Sequence, residues 1–314
     1  MKKHPIASAL SSNIIVTVAI ERSGGEFKLL WRSIMDTLLM YVPISAVIFV
    51  VICFLFLQYH AKKEKKVINP GTVLLHQFKP SDLVPSGSPA CAKLETFLRM
   101  TKIPYENAYG LKFSKKGKLP WIEFNGQAIA DSNFCIWFLM KEFRVDVDSH
   151  LSDTERAMGH TIRTMLEENT YWTLVHYRFF SDFALGMREK LFGHLFPPLK
   201  YLVFYMVRRK VQKDMWNNGM GRFTEEEIYD IAERDLLAVS EILGLKNFLF
   251  GDKPCLADAA LFAFIAGSVL DCPESPHAKI IRSKAINLLN HAQRMKLLYY
   301  PDWEEIVSKK SKYD

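Results

Sequence analysis

The residues best placed to do chemistry stand at the beginnings of two predicted helices. The first helix reads PACAKLETFLRM, with Ser88 at the N-cap, Pro89 as its first residue and Cys91 in its first turn. A helix N-terminus lowers the pKa of a thiol, because its first N–H groups have no partner within the helix and the helix dipole favours an anion. Cys91 is therefore either a reactive thiol or a buried one.

Asp131 and Ser132 begin the second helix, which is predicted to run to about Phe143. The free N–H groups and the dipole of such a helix start can bind a carboxylate, while Asp131 can take an ammonium group. The alternative is a simple cap, in which the aspartate accepts hydrogen bonds from its own helix. The sequence leaves both functions open for this pair.

The elements around these helices predict an α/β half followed by a helical half. Strand-like segments lie at 72–78 and 103–109, and Asn125-Gly126 between two apolar runs predicts a two-residue hairpin. The order is strand, helix, strand, hairpin, helix. From 153 onward the pattern is helical, with one long helix at about 155–182.

Another predicted helix in this half has a clear beginning and end. Thr224, with Glu227 three residues later, is typical of a capping box, and Gly244 ends the helix.

Residues 38–59 carry no charged side chain. About 20 apolar residues suffice for a helix to cross the roughly 30 Å of hydrocarbon in a bilayer. The sequence therefore predicts one transmembrane helix and a single-pass membrane protein. A lysine-rich block at 62–66 follows the span and favours a cytosolic location for the C-terminal part of the chain. Arg22, Lys28 and Arg32 precede the span, so the difference in positive charge between its two sides is small.

Composition excludes several other classes of protein. The five cysteines are scattered and form no CxxC pair or Cys/His cluster, which predicts neither a disulfide framework nor a metal site and fits a reducing compartment. The formal net charge is +7, but the basic clusters contain no interleaved aromatic residues, so no nucleic-acid partner is predicted. The cysteines are Cys53, Cys91, Cys135, Cys255 and Cys272.

Four motifs in sequence carry a family resemblance: SPACAKLETFLRMTKIPYE, GKLPWIEFNGQAIADS, EENTYWTL and GRFTEEEIY. They resemble glutathione transferases, and more narrowly the failed axon connections family and the cadmium-responsive proteins of nematodes; metaxins are more distantly similar. The resemblance covers about 72–303. It implies an α/β thioredoxin-like N-terminal domain and an all-α C-terminal domain of the glutathione transferase type, preceded by one transmembrane helix.

The resulting division of the chain has five parts. They are a tail at 1–37, the transmembrane helix at 38–59, a basic linker at 60–70, the thioredoxin-like domain at 71–145 and the helical domain at 146–314.

The resemblance also implies a glutathione site. It makes Leu119-Pro120 a cis peptide whose Leu119 backbone pairs with the cysteine of glutathione, while Asp131 and Ser132 hold the γ-glutamyl end. Ser88 replaces the first cysteine of the thioredoxin-like CxxC, so dithiol redox chemistry is lost. Ser88 is then either a catalytic residue that donates a hydrogen bond to the glutathione thiolate or only a helix cap.

One more departure from the family lies in the helical half. Asp258 matches the aspartate of the box that caps the central helix of transferases, but Cys255 replaces its hydroxyl residue. Because cysteine is a poor N-cap acceptor, this cap is expected to be weaker.

Two function classes remain open. The first is a membrane-anchored, non-catalytic adaptor with a role in axon development or the response to cadmium and stress. The alternative is a glutathione-dependent transferase with a serine-type site. Glutathione is the candidate cofactor, without a metal. The candidate partners are membrane lipid through 38–59, an unidentified protein and a second copy of the chain.

The apolar segment 191–207 is predicted to lie at a membrane surface or a partner groove, or else in the core.

Overall fold

The computed structural model describes residues 46, 49–50, 53–54, 69–193 and 195–309. The chain separates into two compact units, Met1–Val67 and Ile68–Asp314. The five described residues of the first unit are helical. The rest of the predicted span 38–59, the tail and nearly all of the linker lie outside the described residues. Within the described ranges, no helix is both long and apolar enough to cross a membrane.

Four strands form one mixed sheet in the order β2-β1-β3-β4. Strands β1 (Val73–Gln77) and β2 (Tyr105–Tyr109) pair in parallel, joined through helix α1 (Pro89–Thr101). Strands β3 (Trp121–Phe124) and β4 (Gln127–Ala130) pair antiparallel to each other, and β3 also pairs antiparallel to β1. The predicted order of strands and helices is confirmed.

The turn between β3 and β4 follows from its two residues. Asn125 has φ 47° and Gly126 has φ 79°, the pair of positive values that a tight turn of the I′ type requires. Asparagine and glycine adopt them at least cost, which confirms the hairpin prediction. Helix α2 (Ser132–Phe143) follows β4 directly.

Nine α-helices are described in the helical half. They are α3 (Asp153–Thr164), α4 (Tyr171–Phe180), α5 (Ala184–Phe192), α6 (Pro197–Asn218), α7 (Glu225–Leu243), α8 (Leu256–Ile265), α9 (Pro276–Lys284), α10 (Ile286–Tyr299) and α11 (Trp303–Ser308).

Two π-helical segments and one short 3₁₀ turn join these helices. The segment Met165–Thr170, called π1, connects α3 to α4, so the long helix predicted at 155–182 exists with a π-helical middle. The segment Ala266–Leu270, called π2, continues α8, and Met220–Arg222 forms the 3₁₀ turn. The Thr224–Glu227 capping box of α7 is confirmed, and Gly244 ends that helix.

Helix α8 is the central helix of the fold, and all ten of its residues are buried. Its side chains contribute to two hydrophobic cores. Leu261 and Phe262 belong to the core of the helical half, while Leu256 and Ala259 complete the core formed by the strands, α1 and α2. The two halves therefore share one buried helix.

A buried carboxylate fixes the beginning of α8. Asp258 is 0% exposed and accepts the backbone N–H groups of Leu249 (2.9 Å) and Cys255 (2.8 Å). Its Oδ1 also lies 2.8 Å from Nε2 of His291 on α10. Cys255, which stands where the family has a hydroxyl, donates its thiol to Asp258 at 3.1 Å. The Asp258 carboxylate thus joins α8 to α10 and to the loop that precedes α8.

We expect Asp258→Ala to lower the free energy of unfolding of residues 68–314 by at least about 3 kcal/mol, because several buried donors lose their acceptor together. Urea denaturation followed by circular dichroism measures the change. Asp252→Ala is the matched control. This exposed aspartate accepts one hydrogen bond from Asn247 and should change stability by no more than about 0.5 kcal/mol. Similar losses in both variants would contradict the central position of Asp258.

Candidate functional site

Ser88 stands at the N-terminus of α1, as predicted, but its side chain does not cap the helix. The residue occupies the N-cap position with extended backbone angles, φ −90° and ψ 116°, and makes no side-chain capping hydrogen bond. Its carbonyl oxygen accepts the N–H of Ala92 at 2.9 Å. A capping role for Ser88 would require a hydrogen bond from its side chain to the helix, and the structure shows none.

Of the two alternatives for Cys91, the structure shows the buried one. Its side chain is 0% exposed. Burial raises the pKa of the Cys91 thiol to about 12, and hydrogen bonding to the neighbouring Ser88 hydroxyl opposes this only in part. Desolvation thus outweighs the effect of the helix N-terminus, and the thiol stays protonated near neutral pH.

The Leu119-Pro120 peptide bond is cis, as the resemblance implies. Leu119 forms a small buried cluster with Cys91 and Trp121, and Ala130 packs against it. Among the described residues, the backbone N–H and C=O of Leu119 have no hydrogen-bond partner. They are free to pair with the backbone of a peptide-like ligand.

Asp131 caps α2 and still keeps part of its carboxylate free. It has φ 87°, and its Oδ1 accepts the N–H groups of Asn133 (2.9 Å) and Phe134 (3.4 Å). No described residue donates to its Oδ2, which is open to an ammonium group. The adjacent Ser132 is 6% exposed and its hydroxyl has no hydrogen bond within the described part of the chain. Capping and ligand binding are therefore compatible at this helix start.

The predicted site residues come together at one end of the sheet. Ala130 directly precedes Asp131 and packs against the cluster that contains Leu119 and Cys91, and Cys91 lies one helical turn from Ser88. The geometry thus unites the two helix starts with the cis peptide. The role of each residue toward glutathione remains a prediction.

Sequence reasoning missed a buried polar network behind this site. Lys93 on α1 is 1% exposed, and its ammonium donates to Glu167 of π1 (2.6 Å) and to Asn133 of α2 (2.8 Å). Asn133 in turn donates to Glu167 at 2.8 Å. Burial lowers the pKa of Lys93, and the charge of Glu167 opposes this shift. The only signal in the sequence is a lysine within an apolar helix stripe.

A second missed network holds the loop that leads to Ser88. Asp271 is 3% exposed and accepts hydrogen bonds from Ser81 (2.6 Å) and Lys190 (2.5 Å). Arg178 lies 3.4 Å from the same carboxylate. A Cβ at Gly87 would lie 2.7 Å from Oδ2 of Asp271, so a larger residue there would have to displace this carboxylate from its partners. Asp271 therefore fixes the approach to the α1 start from the helical half.

In the part of the chain that the structure describes, no group of three or more His, Cys, Asp or Glu side chains could hold a metal ion.

Comparisons with known proteins agree with this geometry. The glutathione S-transferase N-terminal domain family matches residues 89–184, and the glutathione S-transferase C-terminal domain family matches residues 232–295.

Among curated proteins, the chain is 33% identical to Failed axon connections of Drosophila melanogaster over 252 residues, 76% of this chain and 60% of that protein. The chain thus spans about three fifths of that relative's length. It is 25% identical to the isoprene-epoxide–glutathione S-transferase of Rhodococcus sp. strain AD45, covering 72% of this chain and 99% of the enzyme. The resemblance predicted from the motifs is confirmed.

Metaxins are also similar to this chain. The Metaxin-2 homolog of Caenorhabditis elegans is 29% identical, over 55% of this chain and 76% of that protein. The mitochondrial outer membrane import complex protein METAXIN of Arabidopsis thaliana is 25% identical, over 69% of this chain and 70% of that protein.

Among solved structures, the beta-etherase LigF from Sphingobium sp. strain SYK-6 superposes with a TM-score of 0.51 and 15% identity, over 77% of this chain and 99% of that one. At this identity the likeness shows the fold alone. It is a thioredoxin-like half followed by a helical half, as in glutathione transferases.

We expect Ser88→Ala to cost less than about 0.5 kcal/mol of unfolding free energy, because its hydroxyl makes no capping hydrogen bond. Thr224→Ala is the matched control. The Thr224 side chain accepts the N–H of Glu227 in a complete capping box, so its loss should cost about 1 kcal/mol. Chemical denaturation of both variants tests this. A cost for Ser88→Ala equal to that of the control would restore the capping role.

We expect Cys91 to resist alkylation in the folded chain. A pKa of about 12 leaves roughly one thiolate in ten thousand at pH 8, and the side chain is fully buried. Iodoacetamide labelling followed by peptide mass spectrometry should leave Cys91 unmodified over a time that fully labels the urea-unfolded chain. Labelling of native Cys91 at the rate of the unfolded chain would show a reactive thiol instead.

Proposed function

Because this chain is a glutathione S-transferase-like and metaxin-like protein related to Failed axon connections, we propose that it is a membrane-anchored, non-catalytic adaptor of this fold. Residues 38–59 hold it in a membrane, its body lies on the cytosolic side, and it acts through a protein partner. The name of its relative supports a role in the formation of axon connections. The name of the Arabidopsis relative, an import complex protein of an outer membrane, supports both a membrane and a protein partner.

The observation that carries the non-catalytic proposal is the burial of Cys91. The thiol at the start of α1 is fully enclosed and its pKa is raised to about 12, so it supplies neither a nucleophile nor a redox partner at neutral pH. Gly267 of the helical half also packs closely against this helix start. A Cβ at Gly267 of π2 would lie 3.0 Å from the carbonyl oxygen of Gly87 and 3.2 Å from the ring of Pro89. A residue larger than glycine at 267 would therefore have to displace Gly87 or Pro89 at the start of α1.

We propose further that the body keeps a glutathione site without turning glutathione over. The unpaired backbone groups of Leu119 beside Pro120 would pair with the cysteine of glutathione. The open Oδ2 of Asp131 would take its α-ammonium group, and Ser132 with the α2 N-terminus its α-carboxylate. A role in the response to cadmium would then pass through bound glutathione.

The second candidate function is a glutathione-dependent transferase. It is favoured by one observation, the Ser88 hydroxyl, which makes no capping bond and stands at the α1 N-terminus. In this case the hydroxyl would donate a hydrogen bond to the glutathione thiolate and stabilise it for attack on an electrophile.

Calorimetric titration of residues 68–314 with glutathione tests the site. We expect binding in the millimolar range, lost in the Asp131→Asn, Ser132→Ala variant. Asparagine keeps a side-chain oxygen for the cap but removes the charge that holds the ammonium group. Thr224→Ala, which loses a helix cap outside the site, should bind as the unchanged protein does.

The same protein is assayed for conjugation of glutathione to a nitroaryl halide. We expect no turnover above the uncatalysed rate. Turnover that Ser88→Ala abolishes would overturn the non-catalytic proposal in favour of the transferase. Absence of heat and of thermal stabilisation by glutathione would instead remove the glutathione site and leave the adaptor function to the protein surface.

A further inference from the structure

Helix α6 is attached to the body along one narrow stripe. Phe204 and Met215 are its only buried residues, and Val203, Val207 and Val211 are the partly buried residues beside them. These positions recur every three or four residues, so they mark a single face of the helix. The sequence predicted 191–207 to lie either at a surface or in the core. In α6 both alternatives hold, because one face of the helix is buried in the core and the remainder is exposed.

The opposite face of α6 is apolar over its first half. Tyr201, Leu202, Tyr205 and Met206 are 42–60% exposed and follow one another at helical spacing. Phe196, just before the helix, and Leu185 on α5 are also exposed. We call these six exposed residues the apolar end of the α5–α6 segment, which covers 184–218. An exposed group of this size and aromatic content is uncommon on a surface that only meets water.

The second half of α6 is cationic. The helix carries five basic side chains and one acidic one. Lys200 pairs with Glu189 and Lys210 with Asp214, at 2.7 and 2.8 Å. Within 69–193 and 195–309, the remaining cations of α6 have no carboxylate partner; they are Arg208, Arg209 and Lys213. Arg208 lies over the ring of Phe180 (5.3 Å) and Arg209 over the ring of Tyr205 (5.9 Å), but neither contact supplies a negative charge. The three cations can therefore pair with an anionic partner.

The spacing of the two halves matches a lipid surface. Tyr201 and Arg208 are seven residues apart, which is about 10 Å along a helix. Apolar side chains of interfacial helices enter the boundary between headgroups and acyl chains to a depth of roughly 5–10 Å. When α6 tilts with its first half toward the bilayer, the flexible cationic side chains of its second half come level with the phosphate groups. A protein partner that matched this surface would need an apolar patch with carboxylates along one of its ends and none at the other. An anionic bilayer has this layered arrangement everywhere.

We propose that the α5–α6 segment is a second membrane contact of this protein, one that recognises anionic phospholipid. The apolar end enters the headgroup boundary, and Arg208, Arg209 and Lys213 bind the phosphate and carboxylate groups of the lipids. This contact does not rest on the proposed span at 38–59 or on glutathione binding, since it uses only residues of the body.

The full-length chain, equilibrated with excess lipid nanodiscs, tests this contact. One set of discs contains phosphatidylcholine alone, and the other also contains phosphatidylserine. Amide hydrogen exchange in 197–218 is followed by mass spectrometry, with α7 as the internal reference. We expect anionic discs to slow exchange in the first half of α6 at least about fivefold relative to neutral discs, because each cation near such a surface contributes to binding.

Two variants and one control define the result. Arg208→Glu with Arg209→Glu, and separately Leu202→Ser with Met206→Ser, should return exchange in anionic discs to the neutral-disc value. Lys253→Glu with Lys279→Glu makes the same charge change at exposed lysines outside the α5–α6 segment and should keep the slow exchange. Equal exchange in both kinds of disc would overturn the proposal. A second result would also overturn it: exchange in α6 that is slow without lipid and becomes slower as the protein concentration rises. That result would assign the surface to a second copy of the chain.

Because the readout is local to α6, it separates this proposal from the one about the span. A chain held in neutral discs by 38–59, but with no lipid-dependent change in α6, keeps the anchor and loses the surface contact.

Discussion

The buried carboxylate of Asp258 is the constraint on which the fold depends. A carboxylate with no exposure to water must find its hydrogen-bond donors inside the protein. Here they come from Leu249 in the loop before α8, from Cys255 at the N-cap of that helix and from His291 on α10. Satisfying them fixes the axial position and rotation of α8. Since α8 contributes side chains to both hydrophobic cores, its placement also determines how the thioredoxin-like half meets the helical half.

Two further buried charges turn this contact between cores into a defined site. Lys93 joins α1 to α2 and π1, and Asp271 holds the loop before Ser88 against α4 and α5. Burying such charges costs desolvation energy that their mutual attraction offsets only in part. What these networks fix is the geometry of the elements that they join. Each charge has one arrangement of partners, and that arrangement positions a helix start that carries predicted site residues.

The sequence predicts those features that depend on neighbours in the chain. The hairpin follows from Asn125-Gly126, the start of α7 from Thr224 and Glu227, and the order of strands and helices from apolar spacing. The networks of Lys93 and Asp271 could not be predicted in this way, since Lys93 is 74 residues from Glu167 and Asp271 is 190 residues from Ser81. The burial of Cys91 is likewise a tertiary effect. The helix start leaves a reactive and a buried thiol equally open, and the packing of Leu119 and Trp121, which lie far along the chain, decides for the buried one.

The π-helical segment π1 explains how one short motif serves both halves. A π-helical turn shifts the facing of the residues that follow it, so nearby side chains can point to different neighbours. Glu167 reaches Lys93 and Asn133 in the thioredoxin-like half, whereas Asn169 and Thr170 both donate to Asp235 of α7. Asn133 is the residue after the Asp131-Ser132 pair. The helix start that is proposed to hold glutathione is thus connected through Glu167 and π1 to the interior of the helical half. A ligand that shifts the α2 start would therefore also displace the partners of Glu167, and π1 is the contiguous connection from the proposed glutathione site to α7.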